Sequence, residues 1–143
     1  MDKKYPSKVS YGLLAFIFFI FFWPIVLMWI DNETNTVSIW TVIFLLILFA
    51  FIVHIFLKTH YTISNHELKI KSGFFSYKPI NIAEIKEISN TKSILSSPAP
   101  SFDRIKIIYG KFDFIIISPK DKLNFANDLL EINPQIKNYI PED

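Results

Sequence analysis

The chain has 143 residues, 51% of them hydrophobic and 17% aromatic, which is too apolar for an ordinary soluble domain but allows one compact domain beside a membrane anchor. A formal net charge of +2, dispersed along the chain, lacks the basic stripe that nucleic-acid binding requires. The absence of cysteine excludes disulfides, thiolate zinc sites and cysteine nucleophiles.

From the N-terminus, a short segment carrying Lys3, Lys4 and Lys8 precedes an uncharged run, Tyr11 to Ile30. At 1.5 Å per residue that run is roughly 30 Å long, the thickness of a hydrocarbon core. A second run, Val37 to Leu57, has no ionisable group except His54, and the polar turn Asp31 to Thr36 (DNETNT) separates the two. Two antiparallel transmembrane helices are expected. The run is long for a signal peptide and the turn offers no small-residue cleavage site, so the first helix is expected to stay. Lysines lie before the first helix and, at Lys58, after the second, whereas the turn has Asp31 and Glu33 and no cation. Both termini are therefore expected on the cytoplasmic side of the membrane, with residues 1–57 as tail and hairpin and residues 58–143 as a cytoplasmic domain. Pro24 reads as a packing kink, His54 as an interfacial residue close to Lys58, and the tryptophans as interfacial anchors.

Beyond Lys58 the apolar spacing shortens and turn residues punctuate it, which predicts strands. Tyr61–Ser64 and Glu67–Ser72 read as a hairpin turning at Ser64-Asn65-His66, and Phe75–Ile80 as a third strand after Gly73. Ile82, Ile85 and Ile88 then suggest a tight turn into a fourth strand. Arg104–Tyr109 and Phe112–Ser118 form the clearest hairpin, joined at Gly110-Lys111. The period then becomes helical, with Ser118 as N-cap, Pro119 as first helical residue, Asp121 as capping-box acid, Leu123, Ala126, Leu129 and Leu130 as the apolar face, and Asn133-Pro134 as the stop. The expected fold is a small bent antiparallel barrel of six or seven short strands capped by one C-terminal helix.

Three stretches carry a family likeness: Tyr61-Thr62-Ile63 entering the first hairpin, Leu95-Ser96-Ser97-Pro98-Ala99-Pro100-Ser101-Phe102-Asp103-Arg104-Ile105 before a strand ending at Tyr109, and Ile117-Ser118-Pro119-Lys120-Asp121 opening the last helix. On these the chain resembles bacterial membrane-anchored pleckstrin-homology-like (PH-like) proteins, specifically the YyaB-like PH domain family, over roughly residues 58 to 137. Pro100 departs from the leucine common in that family and stiffens the loop. The resemblance implies a PH-like fold after two membrane helices, and little about activity.

The longest irregular stretch, Thr91 to Phe102, is where a rigid scaffold would carry a binding site. Ser96, Ser97, Pro98, Ser101, Phe102, Asp103 and Arg104 are the candidate binding residues, offering hydroxyl, acidic and bidentate basic contacts. The competing reading is structural: the prolines fix an extended connector, and Asp103 and Arg104 pair or cap loop amides. Lys69, Lys71 and Lys106 could face lipid headgroups, although Glu67, Glu84 and Glu87 are interspersed and suit an ordinary solvated sheet face. The first hairpin loop, Ser64-Asn65-His66, lacks the basic residues with which eukaryotic PH domains hold phosphoinositides. His60 and His66 have no third ligand at a useful spacing, and three glycines do not make a phosphate-cradling loop, so neither a metal nor a cofactor is expected. Ser97, Asp103 and His66 are the nominal catalysts of a membrane-surface enzyme, but none has a partner at a recognisable spacing.

These readings converge on a non-enzymatic, membrane-anchored binding module engaging a protein partner or the inner-leaflet surface. Two alternatives stay open: a self-protection or membrane-stress factor against an envelope-active peptide, and a passive structural subunit that forms homo-oligomers through its aromatic helices.

Overall fold

The structure is a computed structural model that describes residues 2–31, 36–93 and 99–141. Its elements run β1 (Lys3–Pro6), α1 (Tyr11–Ile30), α2 (Thr36–Leu57), β2 (His60–Ser64), β3 (Glu67–Ser72), β4 (Phe75–Ser76), β5 (Ile80–Asn81), a 3-10 turn (Ile82–Glu84), β6 (Ile85–Thr91), β7 (Arg104–Tyr109), β8 (Asp113–Ile117), α3 (Lys122–Ile132) and β9 (Lys137–Tyr139).

Both long helices are apolar and long enough to cross a membrane, and none of the α1 residues is buried within the protein. Ser10 caps α1, its side-chain oxygen accepting the Leu13 N–H, and Pro24 sits inside the helix. The two helices meet through an aromatic cluster in which Phe49 lies 5.5 Å from Phe18 and 5.6 Å from Phe22 between ring centroids.

The β domain begins before the helices. Residues 3–6, which the sequence offers only as a basic flank, form a strand paired antiparallel with β2, from Lys3 opposite Ile63 to Pro6 opposite His60. The ladder continues past the strand end, because the Ser7 N–H donates to the Thr59 carbonyl at 3.1 Å. The helical hairpin is thus an insertion between two neighbouring strands of one sheet.

That first sheet orders β1-β2-β3, with β4 and β5 both paired to β3. The β2–β3 turn places Asn65 and His66 at φ of 49° and 63°, the left-handed pair that matches strand twist in a two-residue hairpin. The single strand expected over 75–80 is broken in two near Pro79, which has no N–H to donate to a ladder. The second sheet orders β8-β7-β6-β9, with β9 parallel to β6, a strand the sequence reading did not anticipate. Among the described residues the two sheets are not closed into one barrel. At one corner they meet through an isolated bridge between Ser7 and Pro119.

Between the sheets lies a core of Leu68, Ile70, Ile82, Ile88, Ile105 and Ile107, with Tyr61 and Phe125 its largest aromatic members. Alternation explains the β3 contribution, since Leu68 and Ile70 are buried while Lys69 and Lys71 are exposed. Helix α3 covers the open corner with Phe125, Ala126 and Leu129. Its N-cap is Asp121, which accepts the Asn124 N–H at 3.1 Å, rather than Ser118. Ser118 and Pro119 are occupied elsewhere, bridging to the strand end at Ser7. Leu123, expected on the apolar face, is exposed, and Phe125 takes the core position. Phe125 stacks edge-on against Tyr5 of β1 at 5.3 Å.

Because residues 7 and 59 are hydrogen-bonded neighbours, replacing residues 9–57 by a short flexible turn should leave a water-soluble domain with cooperative thermal unfolding followed by circular dichroism. Deleting residues 2–6 as well should abolish that cooperativity. In the same soluble form Phe125→Ala should cost about 3–5 kcal/mol in a denaturant titration, as expected for a fully buried aromatic.

Candidate functional site

Where the helices meet the sheet, a group of buried hydroxyls joins the two corners. The Ser118 N–H donates to the Tyr61 hydroxyl at 3.1 Å, the Tyr61 hydroxyl donates to Ser7 Oγ at 3.0 Å, and Ser7 Oγ lies 2.9 Å from Ser118 Oγ. Burial pushes the Tyr61 hydroxyl pKa up, against the opposing effect of its Ser7 and Ser118 hydrogen bonds, so it stays a neutral donor. Thr59 extends the network to α2 by donating to the Ile55 carbonyl at 2.7 Å, while its Oγ1 lies 2.9 Å from Ser72 Oγ of β3. These groups satisfy one another, and their work is to anchor helix roots in the sheet.

The described residues at the end of the β6–β7 connection meet this same end of the domain. Ser96, Ser97 and Pro98 lie outside the described residues. Ala99, Pro100 and Ser101 are buried, and the Pro100 carbonyl accepts the Ser10 N–H of the α1 cap at 3.1 Å, which ties the loop to the root of α1. Ser101 Oγ accepts the Asp103 N–H at 3.2 Å, and the Arg104 guanidinium donates to the Ser101 carbonyl and, at 3.0 Å, to the Ser93 carbonyl. Arg104 therefore clamps the two ends of the loop.

Asp103 links three separate elements. Its carboxylate pairs with Lys8, ahead of α1, at 2.7 Å and with Lys122 at the start of α3. Lys122 also donates to Asn90 of β6 at 3.2 Å. Burial acts to raise the Asp103 pKa, but Lys122 and Lys8 outweigh it and hold the carboxyl below its ordinary value of 3.8. A second set of ties holds β1 to α3: Lys3 pairs with Asp128 at 2.7 Å, and the Tyr5 hydroxyl donates to the same carboxylate.

Phe102 faces outward, between the buried Ser101 and the half-buried Asp103. Its ring is 57% exposed, with the Arg104 guanidinium 5.9 Å from its centroid. The next residue, Asp103, lines a groove of about 740 Å³ together with Asn90, Lys120, Lys122, Pro6 and Pro141 among others. The groove alternates cations with carboxylates, and Lys122 is already neutralised by Asp103. Such a surface suits a polar peptide segment with an apolar anchor better than a polyanion.

The three lysines considered as a basic face are divided between the two sheets. Lys69 and Lys71 belong to β3 in the first sheet, with Lys69 3.8 Å from Glu67, whereas Lys106 belongs to β7 in the second sheet and lies over the Phe114 ring at 4.6 Å. His60 and His66 stand at opposite ends of the β2 side of the first hairpin.

Sequence reasoning did not find Lys8, Ser10, Asn90 or Lys122 as partners of the loop. Their separation along the chain leaves no local pattern to read.

Residues 59–133, just over half of the chain, match the family described as the bacterial PH domain. No curated protein and no solved structure matches. The matched span starts at the root of α2 and excludes β1, both long helices and β9.

The lowered Asp103 pKa means that its ion pairs contribute stability above the unfolded carboxylate value, and that this contribution disappears as pH falls through the folded one. The melting-temperature gap between the native chain and Asp103→Asn should therefore be widest near neutral pH and narrow below about pH 4. With the side chain 43% exposed, the neutral-pH cost should be about 1 kcal/mol, readable by thermal melts across a pH series.

Proposed function

Since the chain belongs to the bacterial PH domain family, we propose that it is a non-enzymatic binding module anchored in the bacterial cytoplasmic membrane by α1 and α2, with both termini and the β domain on the cytoplasmic side. The partner is a protein met at the inner-leaflet surface, and the binding surface is Phe102 with the adjoining groove and the Ser96-Ser97-Pro98 segment of the same loop. That run also supports placing the chain in the YyaB-like branch of the family.

One observation carries this reading: an aromatic side chain, 57% exposed, stands next to a loop backbone held to the root of α1 at Pro100, between Ser101, Asp103 and Arg104, whose polar groups are engaged in holding the segment. A rigid aromatic anchor beside a mixed-charge groove is the arrangement that concentrates binding energy at protein interfaces. The loop lies level with the first residues of α1, so what it meets is itself at the membrane surface. The lysine distribution supports the orientation, because Lys3, Lys4, Lys8 and Lys58 flank the helix roots and the connecting turn has none.

Photocrosslinking in cells from single probes at Ser97 and Phe102, with Asn35 in the opposite turn as control, tests the proposal. A discrete protein adduct from Ser97 or Phe102, absent from Asn35, is expected. Phe102→Ala should weaken capture of that partner by about tenfold or more, as loss of an interface anchor does. Lipid adducts alone at both positions would overturn the protein-partner reading.

A further inference from the structure

The turn between β3 and β4 has the wrong composition for a solvated hairpin. It runs Ser72-Gly73-Phe74-Phe75, with Ser72 opposite Phe75 in the ladder, so Gly73 and Phe74 form the tip. Turns that face water are built from small polar residues. Here Phe74 is 69% exposed and Phe75 57% exposed, and Tyr77 just beyond them is 42% exposed.

This tip lies along α2. The Phe74 ring stacks on His54 at 4.2 Å with 15° between planes, and on Phe51 at 6.2 Å with 9° between planes. Phe75 meets Phe51 edge-on at 6.5 Å. Gly73 permits the approach: its φ is +58°, and a Cβ there would come within 3.1 Å of both Cα and Cγ1 of Ile55. His54 and Phe51 are three and six residues before the last residue of α2. At a rise of 1.5 Å per residue, Phe74 therefore sits roughly 4–9 Å back along the helix from its end, toward the apolar side.

Resting on the reading that α2 crosses the bilayer, we propose that Gly73–Phe75 is a membrane-embedded wedge, seated at the acyl–headgroup boundary of the leaflet that holds the root of α2. The occupant of this apolar patch is lipid. Its surface is continuous with the outer surface of α2, where Phe51 is itself 40% exposed, and the chain has no charge from Val37 until Lys58 apart from any on His54. Exposed Lys71 and Lys78 flank the wedge on either side, the aromatic-plus-lysine pattern of an interfacial segment whose cations reach the headgroups. The calculated depth matches the 5–10 Å at which amphipathic segments rest in the interface. Seated there, the wedge gives the β domain a second point of attachment besides the helix roots and sets its tilt, and with it the direction in which Phe102 faces.

The chain has no cysteine, so single substitutions label cleanly. Nitroxides are placed by Phe74→Cys and, separately, Phe75→Cys, in full-length protein in nanodiscs of phosphatidylethanolamine and phosphatidylglycerol. Phe19→Cys, in the middle of α1, reports the membrane span. Phe112→Cys, 92% exposed at the far turn of the β7–β8 hairpin, reports water. Collision with oxygen should exceed collision with a polar nickel chelate at positions 74, 75 and 19, and the order should reverse at 112. A lipid-like signal at 19 with water-like signals at 74 and 75 would overturn the wedge while leaving the membrane anchor intact. Water-like signals at all four would overturn both.

Discussion

Everything in this molecule depends on the pairing of β1 with β2 across an interruption of two long apolar helices. The hydrogen bond from Ser7 to Thr59 makes residues on either side of the helical hairpin neighbours in one sheet. The two helices must therefore leave from one place on the domain and return to it, whatever surrounds them. A β ladder leaves no freedom in this respect, because a slip by one residue would turn Tyr5 and Tyr61 away from the core. The buried hydroxyl network of Ser7, Tyr61 and Ser118 then joins that ladder to the end of β8, and Thr59 joins it to the last turn of α2. The helix roots are held by largely buried hydrogen bonds, which favours rigidity over a flexible tether.

The same end of the domain gathers both of the proposed surfaces. The Phe102 loop is fastened to the root of α1 through Ser10 and Lys8, and the Phe74 turn lies against the last turns of α2. The lysines ahead of α1 are tied into the fold: Lys3 pairs with Asp128 and Lys8 with Asp103. A partner that disturbed Asp103 would pull on the segment before α1, on the start of α3 and on the loop at once. The fold therefore couples the candidate binding surface to the anchor through short, direct contacts.

Much was legible in the sequence, for a physical reason specific to each element. Uncharged runs of about 20 residues have the length and composition of helices that can span an apolar layer, so α1 and α2 are apparent from composition. Alternation in Glu67–Ser72 and Arg104–Tyr109 gave the two central hairpins, and Asn133-Pro134 gave the end of α3. Strand β1 was hidden because four residues carry no usable period, and because its partner lies more than fifty residues away. Strand β9 was hidden for the same reason of length, and Asp121 is the N-cap rather than the capping-box acid of a Ser118 cap because a tertiary bridge to Ser7 takes Ser118-Pro119 out of the helix.

At the candidate site, the chain alone determined which residue types are present: a Ser/Pro loop, an acid and an arginine at its end, and aromatic residues beside a glycine at a turn. These follow from covalent order and local preference. Only the tertiary structure decided how each is used: Asp103 is held between Lys8 and Lys122, Arg104 spans the loop, Phe102 is left facing outward, and Phe74 lies along α2. Those assignments are set by contacts between segments far apart in sequence, whose distances arise when the core closes and have no counterpart in any local pattern.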